Sequence, residues 1–225
     1  MCFSAEADFA AGVVVGVIGV ATLTKVRHRR EVPLALVPCA FALHQIAQGF
    51  VWLGLDGQIS RSAGHFALYA YVLYAWALLP AYLPVAVALV EPDARRRRWT
   101  LAFAALGTVV AGYLLWAIVH ESISAGIVGH TIRYRGVGGL SGLATVLYVI
   151  ATCGSLLVSS IRRVRVFGAA NLVAVVVIVW VEQNALTSLW CTWAAVVSAL
   201  LYLEFSDRAG LADSRPADRG RILPA

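Results

Sequence analysis

Charge is scarce in this chain. Asp, Glu, Lys and Arg make up 13% of its 225 residues, where a soluble domain carries roughly 25%. No polar interval approaches the roughly 50 residues that a separate soluble domain needs. No lysine lies inside any apolar run, which excludes a retinal Schiff base. There is no Asp-rich run to hold magnesium and a diphosphate, no Walker A loop, no GxSxG and no HExxH. No Cys or His pair has zinc-site spacing, so neither a metal nor a cofactor is expected. The first apolar run begins almost at Met1 without a basic stretch before it, so it reads as a retained span and not a cleaved signal.

What the chain has instead is hydrophobic residues, 60% of the total, with a mean hydropathy of +0.80. They fall in long runs separated by short polar stretches, the pattern of membrane spans. Spans are expected at roughly 7–24, 33–55, 66–90, 100–119, 139–160, 166–182 and 185–205. Backbone amides in lipid must be paired internally, so each is a helix. The expected fold is all-α: an integral-membrane seven-helix bundle over 1–206, followed by a disordered cytoplasmic tail over 207–225. The net charge of +6 does not point to nucleic acid, because 15 of the 18 Lys and Arg sit in clusters at 25–30, 95–98, 162–165 and in the tail. Those clusters alternate with the spans, and the positive-inside rule then places the N-terminus outside and the C-terminus in the cytoplasm of a multi-pass cell-membrane protein.

Gly12, Gly16 and Gly19 form a stripe of small residues that lets a helix approach closely, within the chain or from a second copy in a homo-oligomer. Pro38, Pro80 and Pro84 should kink or unwind their spans. The stretch His120–Gly138 is the longest loop between spans, a lid or a plain connector.

Polar groups inside spans are costly and mark function. His44, Gln48 and Trp52 are spaced i, i+4, i+8 and share one helical face; interhelical hydrogen bonding is the plainer explanation for them. Glu182, Gln183 and Asn184 end the sixth expected span. Ser188, Trp190, Cys191 and Trp193 open the seventh, and Cys2, Ser4, Glu6 and Asp8 open the first. Acids, amides and aromatics, Trp76 and Trp180 among them, therefore concentrate in one half of the membrane, as a pocket or as a wet rim. Cys2 and Cys191 fall on a side where a disulfide is permitted, whereas Cys39 and Cys153 read as free packing thiols.

MCFSAEADF at the start, HQ-xx-Q-xx-VW in the second span, ATCGSLLVSS and SLWCTWAA together resemble a family of small actinobacterial seven-span proteins known only as a domain of unknown function. Its members commonly carry Glu at the position of Gln48, and HH-xx-Y where this chain has His130 to Tyr134. In size and span count the chain also looks like the small membrane-bound terpene cyclases of meroterpenoid and indole-sesquiterpene pathways. That similarity implies a metal-independent, protonation-initiated cyclisation of a hydrophobic, prenylated small molecule within the lipid bilayer. A buried acid would start the reaction and aromatic faces would steady the cation. The residues then fall into roles: Glu182 first and Glu6 second as proton donor, His44 and Gln48 to orient substrate or take the final proton, and Trp52, Trp76, Trp180 and Trp190, with Gln183, to line the pocket. The alternatives are a non-enzymatic membrane sensor or small-molecule binder, and a hydrolase or redox enzyme using Cys2 and Cys191.

Overall fold

The computed structural model describes residues 4–129, 131–136, 142–181 and 195–207, and of 177–181 the backbone only. Helix α1 (Ala5–Leu23) is capped by Ser4, whose hydroxyl accepts from the Ala7 N–H at 3.4 Å. A 3₁₀ turn (Arg29–Glu31), α2 (Val32–Ala35) and α3 (Val37–Leu55) follow as one span, broken at Leu36 just ahead of Pro38. Helix α1 lies along α3: a Cβ on Gly19 would stand 2.6 Å from Cys39 Sγ, and one on Gly12 2.9 Å from Ile46 Cγ1. The glycine stripe thus serves packing within the chain.

The third span is α4 (Arg61–Val72), a π-helical turn (Leu73–Leu78) and α5 (Leu79–Val90). Pro80 has no N–H to donate and crowds the preceding turn, and the wider π turn absorbs the defect. The Tyr148 hydroxyl donates to the Ala75 carbonyl in that turn at 2.8 Å. Helix α6 (Ala94–His120) is capped by Asp93, which accepts from the Arg96 N–H at 2.7 Å. It crosses the Pro80 turn at Gly107, where any Cβ would collide with the Pro80 carbonyl.

The expected loop after α6 is instead a β-hairpin. Strands β1 (Ser124–Val128) and β2 (Thr131–Arg135) pair antiparallel, with Ala125 opposite Tyr134 and Ile127 opposite Ile132. Gly129, at φ 63°, supplies the left-handed turn residue. Helices α7 (Gly142–Val158) and α8 (Arg162–Val181) come next, and 195–207 are helical again.

Four helical stretches among the described residues are long and apolar enough to cross a membrane: Ala5–Leu23, Arg29–Leu55, Arg61–Val90 and Ala94–His120. This corrects the expected seven-span bundle. The fifth expected span contracts to α7, whose 17 residues leave it among the shorter apolar helices. Helix α8 opens on Arg162, Arg163 and Arg165, and the expected seventh span lies partly outside the described residues. Hydropathy alone cannot separate a span from a buried core helix of similar composition.

Two apolar clusters divide the molecule. One, built around Leu34, Phe41, Leu83, Leu156, Phe167 and Phe205, fills the end that carries the basic loops. The other, around Val51, Trp52, Leu68, Tyr71, Leu114, Ile123 and Ile132, fills the end covered by the hairpin.

Candidate functional site

Helix α3 turns its polar face inward. His44 is 4% exposed, Gln45 1%, Gln48 2% and Trp52 4%. Position 8 of α1 meets this face. Asp8 is completely buried, in phase with Gly12, Val15 and Gly19 on the side of α1 that packs against α3. The Trp52 indole N–H is directed at the Asp8 carboxyl without closing a hydrogen bond of normal geometry.

Three rings from three parts of the chain form a stack over this face. His44 of α3 stacks on Tyr71 of α4 with centroids 4.0 Å apart and planes 15° from parallel. Tyr71 in turn stacks on Tyr134 of the hairpin at 4.7 Å and 8°. Tyr74, in the π turn, flanks His44 at 4.7 Å. Stacked or edge-on aromatic pairs at such distances contribute about 0.5–1.5 kcal/mol beyond their burial, so the hairpin is held onto the bundle by a specific contact. Burial first, and then the neighbouring Tyr71 and Asp8, pushes the Tyr134 phenol well above its ordinary value, which keeps it a neutral hydroxyl.

Among the described residues, His44 Nδ1 is a buried polar atom with no hydrogen-bond partner, while the Trp52 N–H faces Asp8 and the Tyr134 hydroxyl faces that of Tyr71, both short of normal geometry. Buried polar groups are nearly always paired, and leaving one unpaired costs about 1–3 kcal/mol. The unpaired nitrogen of His44 is the point in this cluster that a water or polar group would complete. A cleft of about 340 Å³ opens at the same end of the molecule, though none of Asp8, His44, Trp52, Tyr71 and Tyr134 lines it. Its walls include Val51, Leu68 and Ile123, of the same apolar cluster as Trp52 and Tyr71, and Ala125, the strand partner of Tyr134.

The expected site residues divide three ways. His44, Gln48 and Trp52 come together as their spacing implied, and Trp76 packs, partly buried, against the same apolar cluster. Glu6, one turn-fraction from Asp8, is exposed and does not join them. Trp180, Glu182, Gln183 and Trp190 lie outside the residues whose side chains are described, as do Cys2 and Cys191. Cys39 and Cys153 are free thiols, the latter accepting from Asn171 Nδ2 at 3.5 Å. From sequence, Asp8 stood among the acids of one half of the membrane but behind Glu182 and Glu6, Tyr71 was one of many aromatics there, and Tyr134 had no assigned role. For Asp8 the signal was available: the phase of the glycine stripe selects position 8 over position 6. For Tyr134 there was none, because nothing local places a hairpin over α4.

A multi-pass membrane protein with a buried polar and aromatic cluster is therefore the class defined by these helices and side chains. The chain belongs to a family of unknown function, DUF6629, matched over residues 1–217. No curated protein and no solved structure matches it.

Proposed function

We propose that the protein is a membrane-embedded, protonation-initiated cyclase of a prenylated small molecule, with Asp8 as the proton donor. The observation that carries the reading is the placement of a fully buried carboxyl within one cluster with Trp52, Tyr71, Tyr134 and His44. The span count behind the likeness to small membrane-bound terpene cyclases is corrected above, so the proposal rests on the buried carboxyl and its neighbours alone.

In the proposed step the Asp8 carboxylic acid gives its proton to a terminal alkene of the prenyl chain. A C–H bond forms, the alkene π bond breaks, and a tertiary cation remains. The next alkene attacks that cation to form a carbon–carbon bond. The π faces of Tyr74 and Trp52 favour positive charge near them by about 0.5–2 kcal/mol each. Loss of a proton from the cyclised cation, to His44 Nδ1 or back to the Asp8 carboxylate, restores an alkene. The product is an isomer of the substrate, and no co-reactant is consumed. In this reading Gln48 and the Tyr134 hydroxyl orient the polar head of such a molecule.

The test is expression in a host fed prenylated indoles and phenols, with extracts scanned for isomers of unchanged mass. Wild-type protein should yield a cyclised isomer, Asp8→Asn should yield none, and Asp8→Glu should retain part of the activity. Full turnover by Asp8→Asn together with its loss in Glu182→Gln moves the acid to Glu182. Binding of the prenylated compound without any isomer, in wild type, replaces the cyclase reading with a sensor or small-molecule binder.

A further inference from the structure

At the opposite end of the molecule from the aromatic cluster, the 3₁₀ turn before α2 lies against the end of α5. Between them is a cleft of about 500 Å³ lined by His28, Arg29, Arg30, Glu31, Leu89 and Val90. Its chemistry is two-sided: one wall is cationic and the other is the apolar terminus of a membrane span.

The cations there are available. Glu31 Oε2 accepts from the backbone N–H groups of Arg27 and His28, at 3.0 and 3.1 Å, so this carboxylate is tied to its own turn. Among the described residues, Arg29 and Arg30 make no ion pair, whereas Arg163, in another basic loop, is held by Glu204 and Asp207. Both arginines are exposed. Beyond the cleft on α5, Val85 is an exposed apolar side chain that an acyl chain would cover. A guanidinium pair matches phosphate oxygens in charge and in fork geometry, and basic recesses at the ends of spans suit lipid headgroups.

We infer that this cleft binds the phosphate of an anionic phospholipid, held by Arg29 and Arg30 with its glycerol and upper acyl chains over Leu89 and Val90. The site is independent of the proposed cyclase chemistry and survives its failure.

The experiment uses the full chain in nanodiscs of phosphatidylcholine with or without phosphatidylglycerol. Native mass spectrometry after release should find phosphatidylglycerol retained in preference to phosphatidylcholine. Arg29→Gln/Arg30→Gln should lower that retention about tenfold or more, given the contribution of each basic residue near an anionic surface. Arg97→Gln/Arg98→Gln, in an exposed basic stretch outside the cleft, should change it less than about twofold. Equal losses in the two pairs reduce the effect to general surface charge and overturn the site. On the wild-type protein alone, phosphatidylglycerol should slow amide exchange across residues 28–31 relative to phosphatidylcholine. Unchanged exchange there overturns the site whatever the variants do. Millimolar inorganic phosphate that gives the same protection and displaces the lipid overturns the lipid assignment in favour of a free anion.

Discussion

Two buried acids, Asp8 and Glu91, sit at opposite ends of the molecule in contrasting environments. Glu91 is 4% exposed and ends α5. Its Oε2 accepts from the Ser159 hydroxyl and the Ser160 N–H, both at 2.8 Å, and its Oε1 from the Asp93 N–H at 3.2 Å. Arg96 closes the same corner by donating to the carbonyls of Val158 and Ser159 at 3.0 and 3.2 Å. Burial alone would raise the Glu91 pKa, but the donors from Ser160, Ser159 and Asp93 together hold it below its ordinary value. It is a strut tying the α5–α6 corner to the α7–α8 corner. Asp8 lies instead by the Trp52 indole N–H, with Tyr71 and Tyr134 near enough to feel its charge. A buried carboxylate ringed by donors stabilises a fold, whereas the role proposed for Asp8 requires its carboxyl to give up a proton.

The sharpest way to break this comparison is to remove the acidity of each in turn. Asp8→Asn should reduce turnover by about 10²–10⁴, the usual share of a general acid, with little change in melting temperature. Glu91→Gln should do the opposite, leaving turnover near wild type while lowering the melting temperature in detergent. Matching effects on both readouts in both variants would erase the distinction.

Glu91→Ala should cost about 3 kcal/mol, because three donors lose their acceptor at once. Thermal unfolding in detergent checks this. The pH dependence has a definite sign. A carboxyl held below its ordinary value contributes stability above the ordinary carboxylate range and loses it as pH falls through the lowered value. Wild type should therefore melt at falling temperatures as the medium is acidified past that range, and Glu91→Gln should show a shallower decline.

Gly107→Ala should cost about 1–3 kcal/mol, since its methyl would meet the Pro80 carbonyl. Chemical denaturation in mixed micelles reads that loss. The smallest effect is at the hairpin. Tyr134→Leu keeps bulk but loses the stack on Tyr71, about 0.5–1.5 kcal/mol. Faster amide exchange confined to Ser124–Arg135 is the expected signature. Loss of the whole fold instead would mean that the hairpin belongs to the core of its end of the molecule.

Much of this was legible in the residues themselves. Long apolar runs and scarce charge determine a multi-pass membrane protein, because a bilayer admits few other solutions to such a composition. The i, i+4, i+8 spacing of His44, Gln48 and Trp52 already puts them on one face, since helical geometry is local. The glycine stripe marks the contact face of α1, and by its phase also the acid that faces inward. Other features were decided only by tertiary structure. Whether an apolar run crosses the membrane or packs as a shorter helix depends on where its turns fall, which removed the seven-span bundle. The His44–Tyr71–Tyr134 stack joins residues from positions 44 to 134, and the Glu91 corner joins 91 to 160. Such contacts are set by which helix ends meet and where the hairpin lies, and no periodicity within a single segment encodes that.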